Sequence, residues 1–412
     1  MTKESMYVIK RIAQGKIQSI WFYLFRIFKV KERKIVFTCI EGTTGYSCNP
    51  KYIAEEFIKY NNTTEEKYEL FWLVNDITKA FPQEINVVKN TLINRAYHLS
   101  TAKFWIDNSR KQLECRKRSD QIYIQTWHAK LGFKPTCLDR GKSFSKIAYL
   151  VSKHDSDMVD YWLSNSDWYD NTLKTGSLYE GKVLRTGSPR CDILVEVKND
   201  ETKKRKIKRD ICIKNGMEQL DIDKLHFLMY APTFRGGSQS TDRVLDSDNH
   251  YPDFELLRDS LEKKFGGKWI FLLRLHPQMV VRGAGTADEK AVIDISKEDD
   301  MYEILAGCDA FMTDYSSAAF DATVLEIPVI LFCDDLCDYE DERGNLLWNM
   351  ESLPFVFAQN NEELNSRVLS FDNHKYLKGI NKLNDDAKVV ESGKASKMIV
   401  DFISANITSD KK

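Results

Sequence analysis

From residue 35 onward, short runs of apolar and β-branched residues alternate with stretches whose apolar positions recur at helical spacing. The run Lys34-Ile-Val-Phe-Thr-Cys-Ile40 reads as a strand entering the polar turn Glu41 to Ser47, and Pro50 opens a helix through Ile58. Further strands are predicted at Glu69–Asn75, Phe104–Asn108 and Ile122–Trp127. A highly charged helix over Glu196–Lys214, containing Lys203-Lys-Arg-Lys-Ile-Lys-Arg209, reads as a solvated connector. The alternation then restarts with strands at Leu225–Tyr230, Trp269–Leu275, Asp309–Thr313 and Pro328–Phe332. Strands separated by helices imply a doubly wound parallel α/β sheet. Two such halves predict Rossmann-like domains at 35–195 and 217–412, joined by 196–216 and facing a cleft. Ligands of such sheets bind beyond the carboxyl ends of strands.

The first 34 residues break this pattern. Nine basic side chains against Glu4 and Glu32 make the segment +7, which leaves −8 for the remainder. Between the charges lies the apolar, aromatic run Ile17–Phe28, too short to span a bilayer and lacking the flanks of a signal peptide. A basic amphipathic helix lying in a membrane interface is expected, which makes the protein cytoplasmic and peripheral on the inner face of the membrane. The competing expectation is a helix packed on the core with solvated charges.

Composition narrows the classes. The chain has 412 residues, 42% hydrophobic and 29% charged, which excludes a disordered or fibrous protein. Lys+Arg at 60 against Asp+Glu at 61 argues against nucleic-acid binding. Nine scattered cysteines show neither a disulfide framework nor a zinc pattern. There is no GxGxxG, P-loop or GxSxG.

Polar motifs sit where the strands end. In Thr126-Trp-His-Ala129, His128 emerges at the rim of the first sheet, where an imidazole suits general-base work or a structural hydrogen bond. Tyr230-Ala-Pro-Thr-Phe-Arg235 leads an arginine into the polar loop Gly236–Asp242, as in a phosphate clamp or a surface turn. In Arg274-Leu-His-Pro277, Arg274 and His276 project to one side of a strand end and can reach a common anion. In Asp309 to Asp321, a strand ends at Thr313, and Ser316 is the expected N-cap of a helix through Leu325.

Taken in this order, Thr126-Trp-His128, Tyr230–Arg235, Arg274–Pro277 and Thr313-Asp-Tyr-Ser-Ser317 resemble the motif set of the CDP-glycerol glycerophosphotransferases, enzymes of teichoic acid and phosphopolyol capsule synthesis. Gly45-Tyr-Ser, Asn49-Pro50, Ala102–Asn108, Gly187-Ser-Pro-Arg190 and Asp338–Gly344 add smaller agreements. The resemblance implies a GT-B-like fold and a catalytic role for His128. It also implies donor contacts from Arg235, Arg274, His276, Thr313, Asp314, Ser316, Ser317 and Asp321, with His276 assisting catalysis. Gly45, Tyr46, Asn108 and Lys134 fall on the acceptor side. Two departures lie in the N-terminal half: Ala129-Lys-Leu-Gly-Phe-Lys134 replaces a glycine and a Thr-Pro-Leu-Lys run, and Cys48 stands where the family has aspartate before Asn-Pro.

The implied reaction moves glycerol phosphate from CDP-glycerol to a hydroxyl of a lipid-linked glycan or polyol-phosphate acceptor and releases CMP. A helix terminus and cationic side chains can neutralise the pyrophosphate, so no metal or other cofactor is required, with Asp314 and Asp321 the carboxylates nearest such a role. A CDP-ribitol ribitolphosphotransferase, a GT-B glycosyltransferase using a nucleotide sugar and a non-catalytic membrane-associated subunit are the alternatives.

Overall fold

The computed structural model describes residues 3–233, 251–275 and 292–409, which fall into two compact units. The first comprises 1–130, 135–192 and 389–412; the second comprises 131–134 and 193–388. The first holds a seven-stranded sheet of β1 (Lys31–Thr38), β2 (Glu69–Val74), β3 (Ile85–Lys89), β4 (Ala102–Asp107), β5 (Ile122–Gln125), β6 (Tyr161–Ser164) and β7 (Lys182–Arg185). Their order is β3-β2-β1-β4-β5-β6-β7, parallel throughout. The second holds β8 (Leu225–Tyr230), β9 (Lys268–Leu273), β10 (Val292–Asp294), β11 (Ala310–Thr313), β12 (Val329–Phe332) and β13 (Val356–Ala358). Here the order is β10-β9-β8-β11-β12-β13, again parallel. The central strands are continuous apolar runs because helices cover both faces of such sheets. In each sheet the winding direction reverses once, between β1 and β4 and between β8 and β11.

The strands unseen in the sequence pattern are β3, β6, β7, β10 and β13. Four of them lie at sheet edges, and they are only three to five residues long. The end of the chain also departs from expectation. The helix Ala395–Ser409 packs on the helix Cys48–Thr63 of the first unit, burying Ile399, Val400 and Ile403 in that unit's core. Residues 389–412 therefore leave the expected 217–412 domain.

The expected solvated connector is two helices, Asp192–Lys198 and Glu201–Lys214, and the second is partly internal. Lys204 and Lys208, one turn apart, pair with Asp309 at 3.0 and 2.7 Å, while Phe227 N–H donates to the same carboxylate at 3.0 Å. Burial alone raises the Asp309 carboxyl, but His226, Lys204 and Lys208 overcome this and hold it well below the usual carboxylate range. A depressed carboxyl stabilises the fold above its unfolded pKa, about 3.9, and that contribution disappears as pH falls through the folded value. Asp309→Asn should therefore cost about 1.5–3 kcal/mol in urea unfolding of the protein at pH 7. The gap from the parent should shrink in acid, below about pH 4. An equal gap at both pH values would refute the linkage.

The N-terminal segment forms helices Lys3–Gln18 and Ile20–Leu24 and a short turn of helix at Phe25–Ile27. Its inner side is core. Phe22 is fully buried with Ala96, Leu99 and Trp105, and Ser100 Oγ donates to Phe22 O at 3.3 Å. Gly15 has no room for a side chain, since a Cβ there would lie 2.8 Å from Leu113 Cβ. Its outer side is solvent-facing, with Ile17, Ile20, Trp21, Tyr23, Leu24 and Ile27 exposed beside the exposed Lys16, Arg26 and Lys29. The inner face matches the expectation of a helix packed on the core, and the outer face leaves apolar and basic side chains exposed. Lys34 leaves the basic group: it is buried in β1, donates to Thr101 Oγ1 at 2.7 Å, and burial with nearby Lys31 brings its amine down to about 8. Among the described residues no helix is long and apolar enough to cross a membrane.

Candidate active site

The carboxyl ends of β1 and β4 lie side by side, Thr38 opposite Asp107, and the chain just beyond them builds the first site. Asn108 is fully buried there. Its Oδ1 accepts from Ile40 N at 2.8 Å, which holds the turn after β1, and its own carbonyl oxygen lies 2.7 Å from His128 Nδ1. A carbonyl can only accept, so Nδ1 carries the proton and Nε2 keeps its lone pair.

The peptide around His128 is clamped from both sides. Trp127 has φ +50 and its N–H donates to Gln125 Oε1 at 3.0 Å, while its carbonyl accepts from Asn49 Nδ2 at 2.7 Å. Arg190 Nη1 donates to the His128 carbonyl at 2.5 Å, and Arg190 N donates to Asn49 Oδ1 at 3.1 Å. The Arg110 guanidinium stacks 4.9 Å from the Trp127 ring centre and pairs with fully buried Asp155 at 3.2 Å. Left-handed, non-glycine residues gather in this neighbourhood: Ile40, Glu41, Cys48 and Trp127. Such conformations each cost about 1–3 kcal/mol and persist only where the surroundings over-determine them.

Burial pushes the His128 imidazole down to about 4; its Nδ1 hydrogen bond opposes this, and Arg190, Arg110 and Lys130 add to it. The ring is therefore neutral near pH 7, with a fixed tautomer that leaves the lone pair on Nε2. The base form is thus fully populated at neutral pH, but an imidazole lowered this far is a weaker base than the near-neutral one expected from the sequence.

Other residues expected on the acceptor side have structural work. Tyr46 packs on Trp72 and Phe81 in the core, and Gly45 is buried beside it. Lys134 belongs to the second unit, its amine 5.6 Å from the Tyr339 ring centre, because residues 131–134 leave the first unit and pack with the second. Asn108 acts through His128 by holding its ring.

In the second unit, the matching strand ends are those of β8 and β11. Thr233 N–H sits between the two Asp314 carboxylate oxygens at 2.9 and 3.0 Å, bracing the turn after β8. Thr313 is fully buried and donates to Ala231 O at 2.6 Å; Asp321 is buried and accepts from the Tyr302 hydroxyl. Arg274 donates to the carbonyls of Ile295, at 2.9 Å, and Glu298, and so closes the turn after β10. Thr313, Asp314 and Arg274 hold the turns in shape, while Asp321 ties its helix to the helix Met301–Leu305. The helix Ala318–Ala322 continues as a tighter turn to Leu325, and the capping hydroxyl is the expected one, Ser316, since Ser317 is already helical and makes no side-chain cap. Ser316 Oγ accepts from Ala318 N at 3.3 Å, and both serines keep part of their surface in solvent. Arg235 and His276, with the loop Gly236–Asp242, lie outside the described residues.

Arg190, Asn49 and Arg110 are the supports that reading the motifs one by one does not find. The signal was present in Asn49-Pro50 and Gly187-Ser-Pro-Arg190, whose meeting is tertiary. Gly187 has φ +90 and a Cβ there would lie 2.8 Å from Val390 O, so the turn leading to Arg190 tolerates only glycine.

The chain is similar to known proteins over nearly its whole length. The chain is 28% identical over 393 residues to a teichoic acid poly(glycerol phosphate) polymerase of Staphylococcus epidermidis, covering 92% of this chain and about half of that protein, 51%. It is 27% identical to a teichoic acid glycerol-phosphate transferase of Staphylococcus aureus over 96% of this chain and the whole of the other. The solved structure of the wall teichoic acid polymerase TagF superposes with a TM-score of 0.79 at 26% identity, covering 100% of this chain and 98% of that one. The fold is accordingly α/β and GT-B-like, with two parallel sheets. The family described as CDP-Glycerol:Poly(glycerophosphate) glycerophosphotransferase matches residues 20–405, nearly the whole sequence. The protein with this braced histidine therefore belongs to the CDP-glycerol:poly(glycerophosphate) glycerophosphotransferase family, transferases of teichoic acid biosynthesis.

Proposed function

We propose that this chain transfers glycerol phosphate from CDP-glycerol to a hydroxyl of a lipid-linked phosphopolyol acceptor and releases CMP. The observation that carries this reading is His128, neutral, with Nδ1 held by the Asn108 carbonyl and Nε2 unprotonated. His128 Nε2 takes the proton of the acceptor hydroxyl as its oxygen attacks the phosphorus of the glycerol phosphate group. The bond from that phosphorus to the bridging oxygen breaks, and CMP leaves with the electron pair. Catalysis of this kind is mostly positioning and charge neutralisation. Arg235, His276 and the Ser316-Ser317 turn are assigned to the pyrophosphate. Arg274, Thr313 and Asp314 shape the turns around them, and Asp321 anchors the helix that follows.

Relatives named for glycerol phosphate and for ribitol phosphate match at the same level, 28% each, so the donor has to be measured. CDP-glycerol, CDP-ribitol and UDP-sugars are supplied in turn with a synthetic lipid-linked acceptor, and free nucleotide and product mass are followed. Release of CMP from CDP-glycerol with a glycerol phosphate increment on the acceptor is expected. Preference for CDP-ribitol or a UDP-sugar would overturn the donor assignment.

The exposed apolar side of residues 17–27, flanked by Lys16, Arg26 and Lys29, supports a peripheral position on the inner membrane face, in the plane of the acceptor lipid. Each basic residue near an anionic bilayer contributes about 1 kcal/mol, and inserted apolar side chains add to it. The triple substitution Ile20→Asp, Leu24→Asp and Ile27→Asp should weaken co-sedimentation with phosphatidylglycerol vesicles at least tenfold, roughly the 1.4 kcal/mol step. The melting temperature should stay at the parent's value, because these side chains face solvent. Undiminished sedimentation would remove the segment from the membrane.

A further inference from the structure

Two thiols of the first unit stand against both supports of His128. Cys39 follows β1 and is buried; Cys48 opens the helix Cys48–Thr63 and keeps contact with solvent. Asn108 Nδ2 donates to Cys39 Sγ at 3.2 Å, and this is the asparagine whose carbonyl fixes the His128 ring. Arg190 Nη1 lies 3.6 Å from Cys48 Sγ, and the same nitrogen holds the His128 carbonyl. Cys39 Sγ is 3.4 Å from the hydroxyl of Ser47, the neighbour of Cys48 in sequence, so the two thiols lie on the same turn beside the supports of one histidine. Cys48 is also held left-handed, with φ +58, a conformation its surroundings must impose.

We propose that Cys39 and Cys48 are a peroxide-responsive dithiol, whose closure to a disulfide detaches Cys48 from Arg190 and unsettles His128. Its effect on transfer rests on the reading of His128 as the base; the bond itself does not. In the first step the Cys48 thiolate attacks one oxygen of hydrogen peroxide. The O–O bond breaks, hydroxide leaves, and Cys48 becomes a sulfenic acid, with sulfur oxidised and peroxide reduced. In the second step the Cys39 sulfur displaces the hydroxyl from Cys48, its own proton leaves with that hydroxyl as water, and the S–S bond forms. The two thiols are differentiated as this sequence needs. Cys39 and Arg190 draw the Cys48 thiol below the ordinary cysteine range, while burial and Cys48 push Cys39 above it. The lower, solvent-touching partner is the one that meets the oxidant, and the buried one resolves it. The other seven cysteines include only one exposed thiol, Cys337, in the second unit.

The full-length protein is treated with stoichiometric hydrogen peroxide, alkylated, digested and examined by mass spectrometry, with transfer measured before and after. A peptide pair linking Cys39 to Cys48 is expected, together with at least a tenfold loss of transfer that dithiothreitol reverses. Cys39→Ser and Cys48→Ser, each compared with its own untreated rate, should lose the dithiothreitol-reversible component. Absence of the linked peptides overturns the proposal whatever the activity does, and needs no variant to fold. Linked peptides with unchanged transfer overturn the coupling to His128. A protein without CDP-glycerol activity that still forms the link refutes the donor reading and leaves the dithiol standing.

Discussion

His128→Ala should lower transfer from CDP-glycerol about 10²–10⁴-fold, the range for losing a positioned general base. CDP-glycerol affinity, read by calorimetry, should be unchanged, because His128 belongs to the first unit and the motifs assigned to the donor belong to the second. The ring's environment adds a pH signature. Burial sets the imidazole at about 4, so the base form is already complete well below neutrality. The value of kcat/KM, which reports the free enzyme, should be level between roughly pH 6 and 8 and fall only in acid, as the ring gains its proton. Affinity lost in parallel with activity would move His128 to the donor site. A limb of kcat/KM centred near the ordinary histidine value of about 6.5 would mean that another group titrates.

His128 was legible as a polar residue just past a buried strand, although β5 ends at Gln125 and a left-handed Trp127, not the strand itself, aims the ring. Its supports were not, since Asn49 and Arg190 are 141 residues apart and meet only when the helix after β1 and the turn after β7 fold onto the same strand ends. The central strands were legible as unbroken apolar runs such as Phe104-Trp-Ile and Val329-Ile-Leu-Phe. Edge strands such as Lys182-Val-Leu-Arg185, half-exposed and flanked by charge, carry no such run. Polar residues at strand ends were recognised as a class, but residue type does not say which way they turn. Thr313 and Asp321 point inward to Ala231 and Tyr302, whereas Ser316 and Ser317 stay at the surface. Arg274 shows the same ambiguity for a cation, since a turn of outward carbonyls attracts a guanidinium as a phosphate does.

The N-terminal segment yields the largest stability effect. Phe22→Ala should destabilise the protein by about 3–5 kcal/mol, the usual result of removing a fully buried aromatic ring. The ring fills a space bounded by Ala96, Leu99 and Trp105, with the Ser100 hydroxyl bonded to its backbone and Phe25 set edge-on to Tyr97 next to it. Trp105 is itself fixed, its indole N–H donating to Leu99 O at 2.8 Å, so the walls have little freedom to close over a void. The loss should appear as a lower urea midpoint with an unchanged slope. Ile27→Ala, at a side chain 81% exposed, should leave the midpoint where it is. An unmoved midpoint for Phe22→Ala would mean that the segment is not docked in solution. The contrast also decides how membrane binding must be tested. Removing residues 1–30 takes away Phe22 with the outer face, so a truncated protein that fails to sediment could simply have lost its fold. Substitutions confined to Ile20, Leu24 and Ile27 alter the surface offered to lipid and leave the Phe22 anchor in place, so a loss of vesicle binding can be assigned to the outer face alone.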